Sequence, residues 1–432
     1  MSVILAAVRS NKEIDVLVAA VLIFATIPIA RKVSDVEKDK GLYGLLMAAM
    51  VTHLIFTLAS LYVVNHIYHG VTDYNRYINQ GAILGRHFDR FDFTLPPSVG
   101  TKVLGDGSVS IAAGVVFAIV GVNKIAGFLV FSWLSFLATV CFYRAFSVTF
   151  PEANRRRYAY LVFFLPSLLF WTSAISKEAM MFLSLGASAY GAALVLAQRR
   201  GGVVFLVVGT IIGVYVRPQE LLLFLGAFAI AGVFRRAHKR SLRGIRRILV
   251  MALQAALLLA AVTLAQELGK HAPVFNLTKL SQNNAGEGSS IAYHPGPAGY
   301  PRDIRTVLFD PLPYNAHGKT QQFAAFENTV ILILILISLP RLRLLLRTAF
   351  LRPYVLLSVM YSAAWPYAFA ALGNLGLIDR ERIMLLPFLM VPLAIPVARK
   401  GSPKYEWQFT SAQRRKRRQP QRRWSAGVGA AR

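Results

Sequence analysis

Cysteine is nearly absent from this 432-residue sequence: Cys141 is the only one, and it lies inside an apolar run. A single cysteine can form neither an intrachain disulfide nor a cysteine-rich metal cluster, so both are excluded within one chain. Thiol-based redox chemistry is therefore not expected of this protein.

Acidic residues are also scarce, with 20 Asp and Glu against 48 Lys and Arg and a formal net charge of +28. Such an excess can indicate nucleic-acid binding, but the basic residues are not spread evenly. Alternate connections between the apolar runs, together with the C-terminal tail, contain two thirds of the Lys and Arg but only five acids. This is the distribution expected on the cytoplasmic side of a membrane protein, so nucleic acid is not predicted as a partner.

Long polar stretches are missing as well, because 55% of the residues are hydrophobic and most of these fall in long blocks. A helix needs about 20 apolar residues to cross the hydrocarbon core of a bilayer. The sequence therefore predicts an all-α polytopic membrane protein with about eleven transmembrane helices. They are predicted at residues 14–30, 42–64, 125–146, 158–171, 179–197, 203–216, 221–234, 248–265, 323–339, 353–372 and 383–397.

The predicted membrane domain covers residues 1–398, with extracytoplasmic loops at about 66–124 and 266–322 that bear short interfacial helices. Residues 399–432 form a basic tail that is predicted to be cytoplasmic and disordered. With eleven crossings the N-terminus lies outside, and its apolar run is too short for a signal peptide. The short apolar run at 109–122 is interpreted as a re-entrant or interfacial helix, with a full span as the alternative.

Ionisable residues recur at the ends of the predicted spans, always on the side opposite the basic connections. Such positions are costly unless the side chains are paired or wet, so each is a functional candidate. Prolines in or beside several spans predict broken helices around a cavity that holds an anionic group and a general base. The candidates are Asp73, Lys177, Glu178, Arg217, Glu220, Asp379, Arg380, Glu381 and Arg382.

Several of these residues lie in segments whose order is familiar. The chain reads VTDYNRYINQG in the first outer loop, then VFAIVGVNK, then the proline-broken YLVFFLPSLLFWTSAISKEAMMFLSLG, with a weaker echo in GNLGLIDRERIMLLPF. Over about residues 62–225 this order resembles the GT-C superfamily of integral membrane glycosyltransferases, of the polyprenyl-phosphate-sugar dependent type.

The resemblance implies an inverting transferase in the plasma membrane, with its active site extracytoplasmic and its C-terminus cytoplasmic. Asp73 would be the general base that deprotonates an acceptor hydroxyl of an envelope glycan or glycolipid while the lipid-linked phosphate leaves. Arg217, Arg380 and Arg382 would hold the phosphate of the polyprenyl-phosphate sugar donor. The remaining substrate-binding candidates are Lys177, Glu178, Glu220 and Tyr77. The family's second acid has no close counterpart, because Asp89 and Asp92 lie further along the chain.

Each candidate also has a purely structural interpretation. Asp73 can cap the helix that begins at Tyr74, and Lys177 with Glu178 can form a pair at the membrane interface. Arg217 can extend its charge to the interface. Arg380 and Arg382 can pair with the neighbouring acids Asp379 and Glu381.

A metal site is considered at GRHFDRFDF, where His87, Asp89 and Asp92 are residue types that bind divalent cations. Arg86 and Arg90 lie among them and oppose it, so no cofactor is firmly predicted. The second outer loop, rich in Gly, Pro, Asn and Tyr, suits a cover over a sugar site. Its basic residues could instead supply catalytic groups: His271, His294, Arg302 and Arg305.

Two other functions therefore stay open. One is a polymerase or ligase of lipid-linked polysaccharide repeat units, which would rely on Arg and His in two outer loops. The other is a non-enzymatic transporter of lipid-linked sugars. A transporter is expected to show inverted repeats and polar residues at mid-membrane depth, and the sequence shows neither.

Overall fold

The computed structural model describes residues 12–66, 73–97, 103–151, 155–234 and 298–396, together with the isolated positions 252 and 259. These parts of the chain are helical and contain no β-strand. The predicted all-α class is therefore confirmed. The predicted span at 248–265, most of the second outer loop with His271 and His294, and the basic tail lie outside the described residues.

Sixteen α-helices are present in the described ranges. The first half comprises α1 Lys12–Glu37, α2 Lys40–His66, α3 Asp73–Phe88, α4 Asp106–Val120, α5 Lys124–Thr149, α6 Arg156–Phe164, α7 Pro166–Trp171 and α8 Lys177–Leu196. The second half comprises α9 Gly202–Val216, α10 Pro218–Val233, α11 Tyr300–Phe309, α12 Lys319–Leu342, α13 Leu345–Leu351, α14 Pro353–Phe369, α15 Leu375–Glu381 and α16 Leu386–Leu393.

Five of these helices, α1, α2, α5, α8 and α12, are long and apolar enough to cross a membrane. Their apolar stretches differ in how much of each is buried inside the protein: 83% in α8 and 67% in α5, but only 28% in α1 and α12. Helices α8 and α5 therefore form the centre, and α1 and α12 present apolar surface outward, as expected of helices that contact lipid.

Within the described residues, the other predicted spans form helices of at most 17 residues. Helices α9 and α10 have 15 and 16 residues, and the predicted span at 158–171 is broken into α6 and α7. Proline occupies the first or second residue of α7, α10, α14 and α16, where its fixed backbone angle favours a helix start. Pro166 thus divides an apolar run that hydropathy alone joins, and eleven crossings are not shown.

The first predicted outer loop consists largely of α3 and α4, which pack side by side and run in the same direction. Its two helices approach closely at glycines: a Cβ atom on Gly81 would lie 2.7 Å from the Cβ of Ala113, and one on Gly85 would lie 2.8 Å from the Cβ of Phe117. The predicted short helix at 109–122 is seen as α4, which has 15 residues. The glycines fix the separation of the two helix starts, at Asp73 and Asp106.

Helix α8 packs against α5 on one side and α9 on the other, through small residues. A Cβ atom on Gly186 would lie 2.8 Å from the carbonyl oxygen of Ala138 in α5, and one on Gly209 in α9 would lie 2.6 Å from that of Ser184. Small residues let helix backbones approach closely where lipid supplies no hydrophobic driving force. This packing fixes the position of the N-terminus of α8, where Lys177 and Glu178 lie.

One end of the bundle, where α1 and α5 end and α2 and α6 begin, is joined by arginines, and we call it the arginine end. Arg144 and Arg155 both pair with the buried carboxylate of Glu37. Arg156 binds both oxygens of Asp39, at 2.7 and 3.1 Å. The 26 residues of α5 place this end about 39 Å from the other.

Candidate functional site

Charged side chains from five separate segments meet at the other end of the bundle, which we call the carboxylate end. They come from the starts of α3, α4 and α8, from the junction of α9 and α10, and from α15. The group consists of Asp73, Arg76, Asp106, Lys177, Glu178, Arg217, Glu220, Arg380 and Glu381. Residues more than 300 positions apart in sequence are thus brought together.

Arg217 is the buried centre of this group. Pro218 begins α10, and the extended backbone of Arg217 separates α9 from α10. Its Nη2 lies 2.6 Å from Oε1 of Glu178, its Nη1 lies 3.0 Å from Oε1 of Glu220, and it also pairs with Glu381. With 7% of its surface exposed, Arg217 is surrounded by acids rather than by water.

Arg380 extends the group from the interior to the surface. Its Nη2 donates to Oε2 of the fully buried Glu178 at 2.8 Å, and its Nη1 lies 3.4 Å from Oδ2 of Asp73. Burial alone would lower the pKa of Arg380, but the negative charges of Glu178 and Asp73 hold it above the usual value. Asp73 is the accessible end of this chain of contacts, because 57% of its side chain is exposed.

Asp106, at the start of α4, is a second centre that the sequence analysis missed. Lys177 Nζ lies 2.9 Å from its Oδ1, Arg76 Nη1 lies 3.0 Å from its Oδ2, and the Tyr77 hydroxyl donates to Oδ1 at 2.8 Å. Burial favours the protonated acid, but the hydrogen bond and charge of Lys177, with those of its other partners, lower the pKa of Asp106. Asp106 is the first residue of α4, just as Asp73 is the first residue of α3.

Tyr77 is therefore placed beside a carboxylate. Burial, followed by the charge of Asp106 and the hydrogen bond to it, raises the pKa of Tyr77 well above the ordinary value. The hydroxyl stays protonated at any physiological pH and is already used as a donor to Asp106.

Arg382 lies apart from this group, although Arg380 is only two residues away. Its Nη1 lies 3.3 and 3.2 Å from the carbonyl oxygens of Val307 and Leu308, at the end of α11, and its Nη2 lies 3.3 Å from Asp379. Burial, together with the charges of nearby Glu327 and Asp310, outweighs Arg382 and raises the pKa of Asp379 to about 6. Arg382 and Asp379 therefore hold α11 rather than contacting Asp73.

The residues considered as metal ligands lie at the end of α3 and in the turn that follows it, and two of them contact each other. Nδ1 of His87 lies 2.7 Å from Oδ2 of Asp92, and the Thr94 hydroxyl donates to Oδ1 of Asp92 at 2.7 Å. The hydrogen bonds from Thr94, followed by that from His87, lower the pKa of Asp92 to about 2. Among the described residues no three His, Cys, Asp or Glu are grouped as metal ligands, so a site at His87, Asp89 and Asp92 has no structural support.

No protein-family model, curated protein or solved structure matches this chain. The resemblance of the sequence to the GT-C superfamily therefore stays a prediction.

Proposed function

We propose that this protein is an integral membrane glycosyltransferase of the GT-C type, with about eleven crossings. It transfers a sugar from a polyprenyl-phosphate donor to a glycan or glycolipid of the cell envelope, at the extracytoplasmic face of the plasma membrane. The observation that carries the proposal is the exposed carboxylate of Asp73, held beside Arg380 at the end of an apolar helical bundle.

Asp73 suits the role of general base because it is accessible and lightly used. Its contact with Arg380 is long, at 3.4 Å, and most of its side chain is open to an incoming hydroxyl. In the proposed step Asp73 takes the acceptor hydroxyl's proton, and the acceptor oxygen forms a bond to the anomeric carbon. The bond from that carbon to the phosphate oxygen breaks, and the phosphate leaves with the electron pair, which inverts the anomeric centre.

Asp106 suits this role less well. Lys177, Arg76 and Tyr77 already donate to its two oxygens, and its pKa is lowered, so it is a weaker base with fewer free lone pairs. We assign it the task of positioning Lys177.

The leaving phosphate requires cations that keep exposed surface. Arg380 and Lys177 have 17% and 25% of their side chains exposed, and both lie beside the two aspartates at the helix starts. Guanidinium groups match phosphate oxygens in geometry, so Arg380 is the first choice for stabilising the departing charge. Arg217 is enclosed by three acids and Arg382 binds α11, which favours supporting roles for both.

The proposal is tested by transfer of radiolabelled sugar from a panel of polyprenyl-phosphate sugars to envelope extracts. Loss of a general base typically slows a reaction by about 10²- to 10⁴-fold, and we expect this of Asp73→Asn. The matched control is Asp35→Asn, an exposed aspartate near the arginine end, which we expect to transfer normally. Normal transfer by a folded Asp73→Asn variant would remove Asp73 as the base.

A polymerase or ligase of lipid-linked repeat units is the second candidate, and α11 favours it. Arg302 and Arg305 lie one turn apart on this helix and are exposed, and Arg382 attaches the helix to α15. Transfer of whole lipid-linked repeats, without transfer from any monosaccharide donor, would favour this candidate. Loss of that activity in Arg302→Gln and Arg305→Gln would place the two arginines in it.

A further inference from the structure

Two arginines at the arginine end have no acidic partner among the described residues. Arg157 lies in the first turn of α6, and its Nη2 donates to the Ser338 hydroxyl of α12 at 2.7 Å. Arg341 lies one turn after Ser338 on the same face of α12, so the contact brings both guanidinium groups to one edge. The preceding arginines differ, because Arg155 and Arg156 pair with Glu37 and Asp39.

The closeness of Arg157 and Arg341 is unfavourable, because neither has an acidic partner among the described residues. Nε of Arg157 is buried and has no hydrogen-bond partner in the described structure. Burial, followed by the charge of Arg341, lowers the pKa of Arg157. A buried donor without an acceptor, next to a second positive charge, is relieved by an anion that accepts from both arginines.

Apolar side chains that are exposed or half-buried extend from each arginine along its helix. On α6, Tyr160 and Phe164 follow Arg157 at helical spacing; Tyr160 is 53% exposed, and its ring centroid lies 6.2 Å from that of Phe164. On α12, Ile337 and Ile333 precede Arg341 by one and two turns, and they are 57% and 48% exposed.

The two apolar rows run in the same direction. Because α6 begins where α12 ends, the row on α6 and the row on α12 both lead from the arginines toward the middle of the bundle. Helix α16 contacts both helices. The arrangement is a cationic edge with two parallel apolar rows extending away from it.

We propose that Arg157 and Arg341 bind the phosphate of an anionic phospholipid, whose acyl chains lie along the exposed rows of α6 and α12. Arginine forks match phosphate oxygens, and basic pockets between membrane helices bind anionic head groups. The apolar rows select a lipid over a soluble phosphate. The site lies at the opposite end from Asp73 and does not depend on the proposed glycosyl transfer.

The test is native mass spectrometry of the purified full-length protein in detergent, mixed with phosphatidylglycerol or with phosphatidylcholine of the same chain length. We expect the wild type to retain phosphatidylglycerol at least about tenfold more than phosphatidylcholine. Arg157→Gln and Arg341→Gln should each remove most of this preference. The matched control is Arg200→Gln, an exposed arginine of the α8–α9 connection at the same end, which should keep it.

Two results would overturn the proposal. Equal loss in Arg200→Gln and in the two site variants would show diffuse attraction to a basic surface. Displacement of the lipid by glycerol phosphate at the same concentration would show an anion site to which the acyl chains contribute nothing. The side chain of Arg341 makes no hydrogen bond that the described fold needs, so Arg341→Gln still decides the question if Arg157→Gln does not fold.

Discussion

The two ends of the helical bundle both bury paired charges, but the sign that is in excess differs between them. At the carboxylate end one buried arginine, Arg217, serves three carboxylates, whereas at the arginine end one buried glutamate, Glu37, serves two arginines. At each end, the charge that is in excess is carried by side chains near the surface. These are Asp73 at the carboxylate end, and Arg157 with Arg341 at the arginine end. A surplus acid can accept a proton and a surplus arginine pair can hold an anion, which is why we propose a general base at the first end and a lipid site at the second.

The largest effect is expected from Arg217→Gln, which leaves Glu178, Glu220 and Glu381 without their shared cation. Removing one partner of a buried ion pair typically costs about 3 to 5 kcal/mol in the free energy of unfolding. We expect a loss of this size, measured by thermal unfolding of the purified protein in detergent, and poor accumulation in cells.

The matched change at the arginine end is Glu37→Gln. It should lower the free energy of unfolding by less, about 2 kcal/mol. Arg155 keeps its hydrogen bond to Ser147 at 2.7 Å, and Arg144 keeps its contact with the Tyr190 ring. Equal losses of unfolding free energy in Arg217→Gln and Glu37→Gln would contradict this comparison. They would show that the two centres differ in charge sign but not in how much each contributes to stability.

The second effect concerns pH and Asp379. Its folded-state pKa of about 6 is above the ordinary value of about 4. Between these two values the folded state keeps a proton that the unfolded state has released, so stability falls as pH rises from about 4 to 6 and stays lower above that. Two pKa units correspond to about 3 kcal/mol, and Asp379→Asn should flatten this part of the profile.

This prediction is checked by thermal unfolding of Asp379→Asn and the wild type at several pH values from 4 to 7.5. Asp35→Asn is the control, because the exposed Asp35 is near the other end. An unchanged slope in Asp379→Asn would mean that the pH dependence arises elsewhere and that α11 is not held by a group with a raised pKa.

The smallest change in stability, about 1 to 2 kcal/mol, is expected from Gly85→Val, where α3 packs against α4. The added atoms would meet the Cβ of Phe117 at 2.8 Å and separate the helices, which moves Asp73 away from Asp106 and Arg380. The rate of sugar transfer should therefore fall even under conditions in which the variant stays folded. Gly226→Ala in α10, where a Cβ meets nothing within 4 Å, should change neither; equal effects would make the packing of α3 against α4 irrelevant to the site.

Part of this arrangement is predictable from the sequence. Polar residues at the ends of alternate spans must share one end of an antiparallel bundle, so Asp73, Glu178, Arg217 and Arg380 are expected near one another. Which cation contacts which acid is not predictable, because that depends on the close approach at Gly186 and Gly209. The catalytic and binding roles given to these residues stay predictions.

Three features required the structure. Asp106 was missed because it begins a short apolar helix that the hydropathy pattern leaves ambiguous. Arg380 and Arg382 were expected to act together, but two residues in a helix are separated by about 200° around its axis, so they point into different clusters. The sequence analysis joined residues 158–171 into one span, whereas Pro166 starts a new helix within that run.

Helix α15 has only seven residues, yet it and Arg382 directly after it contact three separate parts of the protein. Arg380 contacts the start of α3 through Asp73, Glu381 contacts the buried centre at Arg217, and Arg382 contacts the end of α11. Because these three residues follow one another directly, we expect a displacement of α11 to change the distance between Arg380 and Asp73. A ligand bound beside α11 would then alter how accessible the carboxylate of Asp73 is.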